Sequence, residues 1–255
     1  MNIAKYINRS LSVMGLEIRK KPVLQPAPVY PADFTEKIIE IYETVKPFTM
    51  TSRDRVCSLV HAVDYILRYN IPGDFVECGV WKGGSSMAMA LSCLKENIAD
   101  RNLYLYDTFS GMSEPTEHDV SYNGLNAMDK YLFKKQDDTV CDWCYSNLDE
   151  VKKNIFSTSY PKEKVHFQVG KVEDTLPNAH HNSIALLRLD TDWYESTKAE
   201  LALLFPKLSK GGILIIDDYG SWDGARKAVD EYFASYPGPI FLSRIDRSGR
   251  LIVKQ

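Results

Sequence analysis

No stretch of this chain approaches the ~18 consecutive apolar residues that a membrane-spanning helix requires. The opening MNIAKYINRSLSVMGLEIRKK also lacks the continuous apolar centre of a secretory signal, so the cytoplasm is the expected compartment. Positive charge is not in excess either: 31 Lys and Arg stand against 34 Asp and Glu, a net charge of -3. Neither nucleic acid nor a membrane surface then has an electrostatic reason to be the main partner, and small molecules become the expectation. Cysteine is scarce and odd in number. Cys57, Cys78, Cys93, Cys141 and Cys144 suit free thiols in a reducing compartment rather than a disulfide framework. Cys141 and Cys144 form a C-x-x-C without a second pair, which reads as a loop coincidence and not as zinc or redox chemistry. With 44% hydrophobic and 25% charged residues, disorder and fibrous repeats are excluded, and 255 residues suit one large domain.

Residues 1–50 read as an N-terminal arm and 51–255 as the main domain. KPVLQPAPVYPADF cannot be one continuous helix, because each proline removes a donor and biases its predecessor toward extended geometry. Arg53 to Tyr69 then places Val56, Leu59, Val60, Val63, Ile66 and Leu67 at helical spacing. A proline-rich arm followed by such a helix suits a homodimer or higher homo-oligomer. Beyond it, short apolar strands alternate with helices: DFVECGV, NLYLYDT, VHFQVG, IALLRLD and GILIIDD. Helices follow the last two, with Leu201, Leu204, Phe205 and Leu208 on one stripe and Ala225, Ala228, Val229 and Tyr232 on another. Strands apolar on both faces and separated by helices predict a doubly wound, mostly parallel α/β sheet. PIFLSRIDRSGRLIVKQ adds an antiparallel hairpin turning near Gly249. Between Thr108 and Val165 lies an insertion too long for a simple loop, with a helix in SNLDEVKKNIF capped by Asn147 and a lid expected near 112–146.

Ligands of such sheets bind beyond the carboxyl ends of the strands. The first strand ends in Glu77, Cys78 and Gly79, and Gly83-Gly84-Ser85 opens the next helix, where backbone amides can approach a ligand closely. Asp107, at the end of the second strand, is in register to accept hydrogen bonds from ribose hydroxyls. Together they point to a nucleoside-containing cofactor. An acid beside the loop and Trp81 within it would serve a pyrophosphate poorly, whereas a cationic sulfonium such as S-adenosylmethionine meets no such objection. The fourth strand ends in Asp190 and Asp192, the fifth in Asp217 and Asp218. Neighbouring parallel strands lie ~4.8 Å apart, so these carboxylates would crowd together and raise one another's pKa unless a cation intervenes. A hard divalent ion, magnesium by its preference for oxygen, accounts for the cluster. Asp192 or Ser196 could instead cap the helix expected near Thr197. His118 in the insertion and His180-His181 before a strand read as solvated or non-catalytic, and Trp193 and Tyr194 fit either an acceptor wall or the core.

At these residues the chain resembles the TylF-type macrocin O-methyltransferases, which modify sugars on macrolides and related natural products. The matching stretches are DFVECGVWKGGSS, LYLYDTFSGM, VEDTLP, LRLDTDWYEST and GGILIIDDYGSWDGARKAVDEY. The resemblance implies a Rossmann-like class I methyltransferase fold with a C-terminal antiparallel hairpin and an N-terminal helical arm. It also implies S-adenosylmethionine as cofactor, with Glu77, Gly79 and Ser85 around its methionine portion, Asp107 at the ribose and Asp174 at the adenine. Val80, Thr108, Phe109, Gly111 and Asp190 complete the implied cofactor set. By the same resemblance Asp190, Asp217 and Asp218 are the metal ligands, Asp192 the general base, and the partner a small glycoside acceptor. Two rivals stand beside it. D-T-D at a strand end also resembles the metal motif of a glycosyltransferase, which would leave the Glu77–Ser85 loop and Asp107 without a joint purpose. A non-catalytic cofactor-binding partner would have no use for four clustered acids.

Overall fold

The structure, a computed structural model, describes residues 29–255, and the elements below all lie in the unit Phe34–Gln255. Most of the proline-rich arm, with the dimer packing expected of it, falls outside the described residues. Residues 34–50, assigned to the arm on sequence, belong to this unit instead: α1 (Glu36–Val45) buries Ile38, Ile41 and Val45, with Thr35 Oγ1 accepting from the Ile38 N–H as its cap. Helix α2 (Arg53–Arg68) is capped by Ser52 and buries the stripe that the spacing predicts. No described helix is long and apolar enough to cross a membrane, and all five cysteines are free.

The chain continues through β1 (Asp74–Cys78), α3 (Gly84–Lys95), β2 (Leu103–Asp107), α4 (Ala127–Lys134), α5 (Leu148–Phe156) and β3 (Val165–Val169). The short α6 (Val172–Thr175) leads to β4 (Ile184–Leu189), α7 (Tyr194–Leu204), β5 (Leu208–Ile216), α8 (Asp223–Ala234), β6 (Ser243–Arg244) and β7 (Arg250–Val253). Sheet order is β3-β2-β1-β4-β5-β7-β6, with the first five strands parallel and β7 antiparallel to β5 and β6. This is the doubly wound sheet with a terminal hairpin expected from the alternation. Every residue of β4 is buried, because the strand lies at the centre of the sheet with helices on both faces. Two predicted boundaries move. Leu208 leaves the helical stripe to open β5, since Pro206 ends the regular helix in a 3₁₀ turn. Helix α7 starts at Tyr194 rather than Thr197, and neither Asp192 nor Ser196 caps it.

The cap of α7 comes from the insertion. Asp119 is fully buried, its Oδ1 accepts from the Tyr194 N–H at 2.8 Å, and its Oδ2 accepts from the Thr116 N–H at 2.6 Å. Gly224, in the first turn of α8, makes room for it, since a Cβ there would stand 2.0 Å from Asp119 Oδ1. Backbone bonds from Asp223 N–H to Val120 C=O (2.8 Å) and from Tyr122 N–H to Ser221 C=O (2.9 Å) fasten the same limb to the start of α8.

Glu200, on the buried side of α7, closes a second local network. Ser196 Oγ donates to the Trp193 carbonyl at 3.1 Å, so it accepts from Thr191 Oγ1 at 2.8 Å. The single hydroxyl proton of Thr191 is then spent, and its 2.9 Å contact with Glu200 Oε1 requires a proton on the carboxyl. Burial pushes the Glu200 pKa well above its ordinary value, in agreement with that count, and Oε2 has no hydrogen-bond partner.

Two outcomes follow from these networks. Asp119→Ala should lower the unfolding free energy by ~1–3 kcal/mol in denaturant titrations, whereas Asp119→Asn, which keeps an accepting oxygen, should retain most of it. An alanine variant as stable as the parent would contradict the capping role. For Glu200 the folded pKa lies above the unfolded one, so its stabilising share is complete below the ordinary 4.5 and declines as pH rises toward the folded value. Glu200→Gln, which can donate to Thr191 without a titrating proton, should therefore gain thermal stability relative to the parent between pH 5 and 8. Parallel melting curves over that range would rule this out.

Candidate active site

The carboxyl ends of β1 to β5 open onto a cavity of about 300 Å³. Gly79, at φ 82°, sits at the first of these ends, where a Cβ would stand 2.0 Å from the Asp190 carbonyl oxygen; only glycine lets the β1 and β4 tips approach this closely. One arm of the cavity is walled by Gly79, Val80, Trp81, Ser85, Asp107 and Thr108 from the ends of β1 and β2 and by Gly170 to Glu173 after β3. Asp107 is the tie within this arm. Its Oδ2 accepts from the N–H groups of Val80 (2.6 Å) and Trp81 (3.1 Å), and its Oδ1 from that of Phe109 (2.7 Å). The carboxylate therefore sets the glycine loop against β2 while facing the cavity. Burial raises its pKa against the lowering by these amides.

The other arm holds the acids. Asp190, Asp217 and Asp218 each bring an oxygen to within 4.8 Å of the others. Asp192, at φ 68°, lines the cavity beside them in a left-handed conformation that aspartate tolerates better than most residues. Burial, opposed by Arg188 and assisted by the charges of Asp217 and Asp218, lifts the Asp190 pKa well above the ordinary range. Asp190 is nevertheless 28% exposed, so its surroundings are a solvent-facing pocket and not a dry core. Burial and then the Asp192 and Asp217 charges raise Asp218 likewise, and Asp218 Oδ2 is left without a hydrogen-bond partner. Asp192 is pushed up to about 7 by burial first and by the Asp190 charge next.

Two arginines answer this crowding. Arg188 is 2% exposed, and its Nη1 donates to Glu77 Oε1 (2.8 Å) and Asp190 Oδ2 (2.7 Å). Its Nη2 donates to Asp217 Oδ1 (2.5 Å) and Thr51 Oγ1 (2.9 Å). Arg55, from α2, donates to the second oxygen of Asp217 and to Asp246 Oδ2 (3.0 Å). Asp217 is thus spanned by two guanidinium groups, with one further lone pair on each oxygen. Three carboxylates with an all-oxygen donor set and an orphaned buried oxygen on Asp218 fit a hard divalent cation.

The structure brings Gly79, Val80, Ser85, Asp107, Thr108, Gly111, Asp190, Asp192, Asp217 and Asp218 onto one cavity. Three expected cofactor residues stand off its wall. Glu77 is 1% exposed and held by Arg188 and Ser86, so it orients the arginine and does not face the cavity. Phe109 is buried and packs edge-on against Phe167. Asp174 is exposed on α6, and its neighbour Glu173 lines the cavity instead, because one helical step turns the adjacent side chain away. Trp193 and Tyr194 belong to the packing: the indole N–H of Trp193 donates to the Ser113 carbonyl and the Tyr194 hydroxyl to Glu231. His118 rests between Lys227 and the Tyr194 ring, and His181 is buried on the Tyr106 hydroxyl, both off the cavity wall.

Sequence reasoning missed Arg188, Arg55, Thr51 and the Phe48–Met50 segment of the cavity wall. For Arg188 a signal was present, since a charge inside an otherwise apolar central strand requires buried partners. Nothing local marked the others: Phe48–Met50 come from chain expected to be an arm, Arg55 from a plain amphipathic helix and Thr51 from the junction between them.

Comparison with known proteins agrees with this geometry. The macrocin-O-methyltransferase (TylF) family matches residues 43–251. An 8-demethyl-8-(2,3-dimethoxy-α-L-rhamnosyl)-tetracenomycin-C 4′-O-methyltransferase of Streptomyces olivaceus is 35% identical over 201 residues, 79% of this chain and 73% of that protein. The demethyldecarbamoylnovobiocin O-methyltransferase of Streptomyces niveus is 34% identical over the same shares of the two chains. Among solved structures, the O-methyltransferase NovP superposes with a TM-score of 0.70 at 32% identity, covering 81% of this chain and 82% of that one. The nucleotide-sugar glycosyltransferase and non-catalytic alternatives gain no support from these relatives. The chain belongs to the macrocin-O-methyltransferase (TylF) family and is an S-adenosylmethionine-dependent O-methyltransferase.

Proposed function

We propose that this enzyme methylates a sugar hydroxyl of a glycosylated natural product and that it works with a divalent cation, magnesium by the chemistry of its donors. The observation that carries the reading is the meeting of Asp190, Asp192, Asp217 and Asp218 on the same cavity as the Asp107-tied glycine loop. A relative whose name specifies a rhamnosyl unit supports the sugar acceptor. Asp190, Asp217 and Asp218 would hold the cation, and Gly79, Val80, Ser85, Asp107, Thr108, Gly111 and Glu173 would line the cofactor. When bound, the cofactor supplies an electrophilic sulfonium methyl, and the cation supplies positive charge that makes a nearby hydroxyl more acidic.

The residues then divide the work. Asp192 takes the hydroxyl proton as the new O–CH₃ bond forms and the S–CH₃ bond breaks, and later loses that proton to water. Burial holds its carboxyl above the ordinary carboxylate range, which strengthens it as a proton acceptor. Arg188 keeps Asp190 and Asp217 in place, because turning either away would cost the buried guanidinium a charged hydrogen bond that no water replaces. The cavity walls contribute by holding oxygen and methyl in line at ~3–3.5 Å.

The test is transfer of labelled methyl from S-adenosylmethionine, in the presence of magnesium, to demethyldecarbamoylnovobiocin and to the rhamnosyl tetracenomycin. Asp192→Asn should lower kcat ~10²–10⁴-fold while S-adenosylhomocysteine binds with unchanged affinity by calorimetry. Asparagine tolerates the positive φ, so the fold should persist. Parental turnover in that variant would overturn the assignment of Asp192, and absence of label in both glycosides would overturn the sugar reading.

A further inference from the structure

Beyond the four acids the cavity wall changes character. Met112, Trp143 and Trp222 supply apolar surface, and Ser113, Lys130 and Ser221 stand around it. Trp222 lies where the two regions meet. It lines the cavity together with Asp192. Its ring packs edge-on against Trp193 (centroids 5.0 Å, 78°) and tilted against Trp143 (5.9 Å, 54°). Its backbone bridges to Ser121 of the insertion and donates to the Asp218 carbonyl at 3.1 Å. The indole is thereby held by the insertion, by its aromatic neighbours and by the acidic loop at once. Trp193, by contrast, is 2% exposed and does not reach the cavity.

A pyranose carries a face of C–H bonds and a rim of hydroxyls, and a site that recognises it needs an aromatic surface for the first and polar groups for the second. This stretch of wall offers both, within reach of Asp192. We propose that the ring of Trp222 seats the C–H face of the acceptor pyranose so that one hydroxyl is presented to the Asp192 carboxylate. The inference rests on the sugar-acceptor reading above and extends it to a named subsite, with Met112 and Trp143 as its remaining apolar wall.

Steady-state kinetics of the full chain with the rhamnosyl tetracenomycin test the seat. Trp222→Phe keeps an aromatic ring, so the acceptor KM should stay within ~2-fold of the parent. Trp222→Leu removes the aromatic face, so the acceptor KM should rise ~10-fold. In each variant the S-adenosylhomocysteine affinity should stay at the parental value, which also reports that the fold is intact. A leucine variant with parental acceptor KM would overturn the inference. Should Trp222→Leu fail to fold, Trp222→Met takes its place, with a raised acceptor KM expected and a parental one overturning the inference. If the parent enzyme binds S-adenosylhomocysteine but methylates neither glycoside, the sugar reading falls and the subsite with it; if the parent is active and the loss of the aromatic face leaves acceptor KM unchanged, the subsite alone falls.

Discussion

One buried guanidinium organises the rim of this sheet. Arg188 reaches from the most enclosed strand to Glu77 on β1, Asp190 at the end of its own strand, Asp217 beyond β5 and Thr51 ahead of α2. Each contact alone would be an ordinary charged hydrogen bond. Together they fix the relative positions of three strand tips and one preceding segment, because a displaced acid would take a charged hydrogen bond away from a guanidinium that has no water to replace it. The chain can therefore carry a concentration of carboxylates that would otherwise repel one another or take up protons.

From that anchor the two arms of the site follow. On one side Glu77 and Ser86 brace the arginine from behind, and the glycine loop after β1 closes onto Asp107 through two backbone amides. On the other, Arg55 shares Asp217 with Arg188 and reaches on to Asp246 in the terminal hairpin turn, where that carboxylate also accepts from the Ser248 and Gly249 N–H groups. The hairpin is thus more than an edge to the sheet; it supports the second arginine. The insertion is tied to the same rim by Asp119 and by its pairing with residues around Trp222, so its first limb is a fixed wall.

How much of this the amino-acid order reveals depends on whether a feature is local. The strands, the helices after β4 and β5, the terminal hairpin and the Asn147 cap of α5 were all legible, since periodicity and capping act within a few residues. The four acids were legible too, because strand ends are recognisable and their charges stand out against apolar runs. Glu77, however, carries the same letter whether it faces a ligand or an arginine, and its role turned on Arg188, 111 positions away. Asp174 and Glu173 differ by one helical step, which no motif resolves before the helix phase is known. The contributions of Thr51, Arg55 and Asp119 depend on distant partners, and only the folded chain identifies them.

The central claim is that the strand tips, held by Arg188 and Arg55, leave room and charge for one hard divalent ion. Titration of the full chain with manganese, followed by electron paramagnetic resonance in the presence of S-adenosylhomocysteine, tests it without reference to turnover. The account predicts one bound ion per chain, with affinity lowered at least ~10-fold in Asp218→Asn, whose parent residue carries the orphaned oxygen. A parent enzyme that leaves manganese free at millimolar concentration, or an Asp218→Asn variant that binds it equally well, would contradict it.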